Sequence, residues 1–208
     1  MTGTHGKTCS SSDGEYRGFS LVELLAVSLL LLLLAGMALP GFATMRAQAQ
    51  RLGTAAELQR LIWQGRTRAL HQGVMVGIHF DRFPDGALRY QFFQDGNANG
   101  ITAIDRAQGI DPPVTAPLPL LRESSFKPAL PPAYAPAVPP ATGSFHGGDA
   151  IALSGDTLSF SPLGGFSNGS IYLGNGREFL CLRLAGSLGR IRIFRWKPGQ
   201  PAWQEVMQ

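Results

Sequence analysis

Three groups of residues in this sequence have the types and spacing that chemistry uses. Gly165-Phe166-Ser167-Asn168-Gly169 fits G-x-S-x-G, in which a serine on a sharp strand-to-helix turn is the nucleophile. That arrangement needs an acid and then a histidine later in the chain, whereas the last histidine is His146. The residues after Gly169 also alternate like a strand, not a helix. A tight Asn168-Gly169 turn between strands is therefore expected, and no enzyme activity.

The second group is Asp95-Gly96-Asn97-Ala98-Asn99-Gly100, with oxygen side chains at positions one, three and five and glycine at six, the opening of an EF-hand type calcium loop. Position twelve is Arg106, where a bidentate carboxylate is required. Asp95, Asn97 and Asn99 are thus an incomplete calcium set, and the competing expectation is a plain glycine- and asparagine-rich loop. His5, His71, His79 and His146 show no metal-ligand spacing, so neither a metal nor another cofactor is expected.

The third group is basic. Arg190 and Arg192 on a strand lie on the same side, about 6.6–6.8 Å apart, and Arg195 and Lys197 continue the run. From Arg177 to the end there are six basic residues and two acidic ones, equal to the whole net charge of +4. Two guanidiniums at that spacing could meet neighbouring phosphates. The alternative is a solvated basic strand face.

The 208 residues allow one or at most two folded units. At 44% hydrophobic and 15% charged, the chain is too apolar for disorder throughout and too lightly charged for a coiled coil. Its 26 glycines and 15 prolines call for many turns and short strands. Leu24 to Met45 is 22 residues without a charge, long enough as a helix to cross the roughly 30 Å apolar core of a bilayer. A cleaved secretory signal would carry about 7–15 apolar residues and a small-residue cleavage site, so a spanning segment is expected. Lys7 and Arg17 precede it and Arg46 and Arg51 follow it, so charge alone does not orient it.

From about Phe19 to Leu70 the residues favour one long helix. Leu52, Ala55, Ala56, Leu58, Leu61 and Ile62 form an imperfect stripe facing a head, and Arg51, Arg66 and Arg68 are expected to be solvated. The period then changes to two. Val74, Val76, Ile78 and Phe80 share one strand face, and Leu88, Tyr90 and Phe92 share another, around a turn at Arg82-Phe83-Pro84-Asp85-Gly86. About Asp95 to Asp149 holds ten of the fifteen prolines and should lie extended over the surface, partly as polyproline II. Strands resume at Ile151–Leu153, Thr157–Phe160, Ser170–Leu173, Glu178–Leu184 and Arg190–Trp196.

Gly18-Phe19-Ser20-Leu21-Val22-Glu23-Leu24-Leu25 resembles the class III signal of type IV pilins and pseudopilins. The resemblance implies cleavage after Gly18 by a prepilin peptidase, removal of a leader 1–18, and N-methylation of Phe19. It gives Glu23 the role of pairing with the N-terminal amine of a neighbouring subunit, a buried ion pair that serves register more than stability. Pro40 falls where pilins often interrupt the helix, and a kink or local melting is expected there. Loss of the leader would remove Cys9 and leave Cys181 as a single strand cysteine.

Thr157-Leu158-Ser159-Phe160-Ser161-Pro162-Leu163-Gly164-Gly165, Gly169-Ser170-Ile171-Tyr172-Leu173 and Gly189-Arg190-Ile191-Arg192 together resemble the C-terminal head of the GspH/FimT family of minor pseudopilins and pilins. Asp95–Gly100 resembles a loop many such heads carry. The implied fold is α+β and type IV pilin-like: a transmembrane and assembly helix, 19–71, then a mainly antiparallel β head, 72–208. The implied location is the bacterial inner membrane, single-pass, with the head in the periplasm. GspH-type members belong to the pseudopilus of a type II secretion system, with other pseudopilins as partners. The alternative is a FimT-like minor type IV pilin that binds DNA during natural transformation through Gly-Arg-x-Arg, here Gly189 to Arg192.

Overall fold

The computed structural model describes residues 20–83, 87–186 and 189–207, apart from the side chains of 37–40, 43 and 207. The protein is α+β, with an N-terminal helix followed by antiparallel sheets. It divides into two units, Met1–Arg46 and Ala47–Gln208, and helix α1, Leu21–Gln72, contributes to both.

In the first unit α1 carries exposed apolar side chains, and Leu29 to Leu34 are each more than half exposed. Two hydroxyls here bond back to the helix: Ser28 Oγ donates to the Leu24 carbonyl at 2.7 Å, and Thr44 Oγ1 to that of Gly41 at 2.8 Å. Among the described residues no helix is long and apolar enough to cross a membrane. The helix continues through Pro40, so the local melting expected there does not occur. Proline removes one backbone donor, and the bonds before and after it carry the helix past that gap.

In the second unit the rest of α1 packs Ala55, Leu58, Leu61, Ile62 and Ala69 into the core. The first sheet has the order β3-β2-β1-β6, with β1 Val76–Arg82, β2 Leu88–Gln94, β3 Leu118–Leu120 and β6 Thr157–Phe160. The second has the order β10-β9-β8-β7-β4, with β5 also on β7; these are β4 Lys127–Pro128, β5 Ile151–Ala152, β7 Gly169–Gly174, β8 Phe179–Ala185, β9 Arg190–Trp196 and β10 Gln204–Met207. The alternation read from sequence sets the faces: Val76, Ile78 and Phe80 of β1, and Leu88 and Phe92 of β2, are buried in one core with Ile171, Leu173, Leu180, Leu182 and Ile193 of the second sheet. Residues 84–86 of the expected β1–β2 turn lie outside the described residues.

Several expectations are corrected. Arg51 is not solvated; its Nη1 lies 3.2 Å from the buried Glu178 carboxylate. Arg66 and Arg68 cover the rings of Trp63 and Phe92, at 5.3 and 4.3 Å from the centroids, because long basic stems bury apolar length beside aromatic faces. The Asn168-Gly169 turn does not form. The chain reverses at Ser161–Gly165, where Ser161 N–H donates to the Gly165 carbonyl at 2.8 Å, and β6 and β7 belong to different sheets. Asn168 instead accepts the Gly186 N–H at 2.8 Å.

The proline-rich stretch is more than a surface excursion. It holds helix α2, Ala103–Gln108, together with β3 and β4. Its Ala135, Val138 and Phe145 cover the outer face of the second sheet with Tyr172, Cys181, Phe194, Trp196 and Trp203. Apolar residues interleaved among the prolines supply burial that the composition hides, at about 25 cal/mol per Å² removed from water. Both faces of β8 are therefore covered, and burial pushes the Cys181 thiol up to about 12.

Candidate functional site

Strand β9 presents the basic residues. Ile191 and Ile193 pack toward the core under α1, so alternation places Arg190, Arg192, Phe194 and Trp196 on the outer face and Arg195 on the inner one. Arg192 is held in a bidentate pair: Nε donates to Glu205 Oε1 at 2.8 Å and Nη2 to Oε2 at 2.7 Å. Its guanidinium also lies 5.4 Å from the centroid of the Phe194 ring. The shared hydrogen bonds raise the Arg192 pKa and lower that of Glu205, which is the fork geometry that makes such pairs strong among surface ones. Arg190 is exposed and has no ion-pair partner among the described residues.

The structure thus brings Arg190 and Arg192 to one face and separates the other two basic residues from them. Arg195 donates to Gln204, its partner across β10. Lys197 lies 4.0 Å from the carboxylate of Glu178, which Arg51 already holds. Arg183, directly opposite Arg192 in the β8–β9 register, gives Nη1 to the Val138 carbonyl at 3.1 Å.

Beside the start of β9 lies a groove of about 510 Å³, lined by Gln59, Trp63, Gly189, Arg190, Ile191 and Arg192. Trp63 is 56% exposed. The sequence reading missed Trp63 and strand β10, with its Glu205. Trp63 departs from the helical apolar stripe, and a large aromatic off the core face was the available signal. The four-residue β10 offers too short an alternation to read.

The Asp95 loop is closed by its own hydrogen bonds. Asp95 Oδ1 accepts the Asn97 and Ala98 N–H groups at 3.1 and 2.8 Å, and Oδ2 accepts that of Gly100 at 2.8 Å. Asp111, fully buried, accepts from Gly96 and Thr102 at 3.2 and 3.1 Å. The Asn97 and Asn99 amides point at Asp105 Oδ2, at 3.5 and 3.0 Å, and with Thr102 they hold the Asp105 carboxyl below its ordinary range. Among the described residues no group of three or more His, Cys, Asp and Glu is placed to hold a metal ion. The Asp95 and Asp111 carboxylate oxygens are committed to N–H donors.

Next to that loop His79 of β1 lies 3.1 Å from Thr157 Oγ1 and 3.2 Å from Asp81. Burial, then Arg106, lowers its pKa despite Asp81. Ser167 of the G-x-S-x-G pattern accepts the Ser159 N–H at 3.1 Å and is followed by β7, so its surroundings are those of a strand connection.

Of the processing residues, Gly18 and Phe19 lie outside the described residues. Glu23 is in the first turn of α1, exposed, with no ion pair to another described residue. No family model, characterised protein or solved structure matches the chain.

Proposed function

We propose that this protein is a membrane-anchored minor pseudopilin of the GspH/FimT type, a non-enzymatic subunit of the pseudopilus of a type II secretion system. The observation that carries the reading is that a single helix, Leu21–Gln72, holds both the exposed leucine-rich segment and the stripe that packs into a β-sheet unit, with Glu23 as the acid of its first turn. Exposed apolar surface of this extent marks a membrane or protein interface. The uncharged run from Leu24 to Met45 then spans the inner membrane in the precursor. A carboxylate that costs up to about 3 kcal/mol at mid-bilayer finds its partner in the amine of a neighbouring subunit.

The alternative, a DNA-binding minor pilin, has narrower support. Arg192 is occupied by Glu205, and Arg195 lies on the other face of β9. That leaves Arg190 as the one of the two arginines on the outer face of β9 with no ion-pair partner among the described residues.

The test is made in cells carrying a type II secretion system, with the tagged full-length chain. Gly18→Asp should leave the precursor uncut, and Glu23→Ala should be cut but fail to co-purify with the other pseudopilins. An unchanged mature mass for Gly18→Asp, or normal incorporation of Glu23→Ala, would overturn the reading.

A further inference from the structure

We propose that the turns gathered at the start of the second unit's helix form a basic patch for the anionic phospholipid headgroups of the membrane surface, an inference that rests on the membrane-anchored reading above. Three chain segments meet at one level of α1. Ser124 and Ser125 are bonded to Thr54 and Gln50 at 2.7 and 3.1 Å. Glu178, in the turn between β7 and β8, lies 3.2 Å from Arg51. Lys197, just past β9, lies 4.0 Å from that same carboxylate, and Lys127 stands opposite Gly174 at the mouth of the β7–β8 turn.

These contacts bring Arg51, Arg122, Lys127, Arg177 and Lys197 to one end of the unit, and all of them except Arg51 are exposed. The acids of the same segments are Glu123 and Glu178, and Glu178 is already held by Arg51. Glu57, further along α1, accepts the Leu121 N–H at 2.9 Å. The excess is positive, and because it is assembled from segments distant in sequence no basic run announces it. Hydrogen bonds fix the turns beforehand: Asn175 Oδ1 accepts the N–H groups of Arg177 and Glu178 at 3.0 Å each, and Gln200 Oε1 accepts that of Lys197 at 3.1 Å. Cations carried on ordered turns lose less freedom on binding.

The position on α1 argues for a lipid surface. Gln50 follows Met45, the end of the uncharged run, by five residues, which is about 7.5 Å of helix. That is inside the Debye length of about 8 Å at physiological salt, the range over which lysine and arginine are drawn to anionic lipids. Cations gathered at one level of a helix that leads into an apolar run meet a plane of headgroups together, whereas a nucleic-acid strand is matched by a groove that tracks its backbone.

The experiment places the full-length protein in vesicles of phosphatidylcholine, alone or with about a third phosphatidylglycerol, at about 50 mM salt. Acetylation of Lys127 and Lys197 by a membrane-impermeant ester is followed by mass spectrometry. Both lysines should react at least about fivefold more slowly beside phosphatidylglycerol, and the difference should vanish at about 500 mM salt. Arg122→Glu/Arg177→Glu should restore at least half of the lost rate, with circular dichroism unchanged. Equal rates in the two kinds of vesicle, or protection that the double variant leaves intact, would overturn the proposal. So would the same protection in phosphatidylcholine vesicles from inorganic phosphate or from a single-stranded oligothymidylate, since the ligand is then a free phosphate or a nucleic acid. Flotation with pure phosphatidylcholine vesicles tests the anchor separately. Protein that fails to float refutes the membrane reading and this inference with it, whereas protein that floats with unprotected lysines refutes this inference alone.

Discussion

The indole N–H of Trp203 donates to the carbonyl of Pro136 at 2.7 Å, tying the C-terminal strand pair to the proline-rich stretch that roofs the second sheet. Trp203 is 6% exposed, and a phenylalanine in its place leaves that carbonyl without its donor. Trp203→Phe is expected to lower stability by about 1–3 kcal/mol and to open residues 129–146 to proteases. Denaturant unfolding together with mapped limited proteolysis checks both effects.

Gly65 sits in α1 where a Cβ would come within 2.4 Å of the Phe160 ring. Helix propensity favours alanine by about 1 kcal/mol, whereas forcing a buried ring aside costs about 1–3 kcal/mol. The clash should win, so Gly65→Ala lowers the thermal midpoint. A midpoint that rises would mean the ring relaxes without cost.

Glu178 is buried between Arg51 at 3.2 Å and Lys197 at 4.0 Å. Exposed pairs are worth about 0–1 kcal/mol, and breaking buried ones costs about 3–5 kcal/mol. With Arg51 only 13% exposed, Glu178→Gln should cost about 2–3 kcal/mol, between those limits. Arg51→Met added to it should cost less than the sum of the two single changes, as a double-mutant cycle measures.

His79 has its pKa lowered in the fold, chiefly by burial and then by Arg106. The unfolded chain therefore binds the proton first as pH falls below the ordinary value of about 6.5, and stability rises with pH through that window. The contribution is fully present above pH 6.5 and fades as pH drops toward the folded value. His79→Gln should flatten the slope of unfolding free energy just below pH 6.5, with the hydrogen bond to Thr157 retained.

Asp111 accepts two backbone N–H groups while fully buried. Asp111→Ala orphans both donors and should cost about 2–6 kcal/mol, at about 1–3 kcal/mol for each unsatisfied group. Since the Asp95 and Asp111 oxygens are already paired, the midpoint of the unmodified protein should be the same in calcium and in chelator. A calcium-dependent rise in differential scanning calorimetry would contradict that account.

The sequence by itself determined the local periodicities. A helix through the leucine run into the Leu58–Ile62 stripe, a β1–β2 pair facing Val76, Ile78 and Phe80 inward, and strands near 157–160, 170–173, 178–184 and 190–196 all follow from spacing, because side-chain direction is set by backbone period. The placing of Arg190 and Arg192 on one face follows from the same rule. The tertiary structure decided which edges meet. Asn168-Gly169 carries good hairpin chemistry, yet β6 pairs with β1 and β7 with β8, since two faces of one core were buried by separating them. Partners distant in sequence, such as Arg51 with Glu178 and Arg192 with Glu205, leave no local pattern. The roofing of the second sheet by the proline-rich stretch, and the groove between Trp63 and the start of β9, likewise exist only once burial has chosen among long-range pairings that local propensity leaves equivalent.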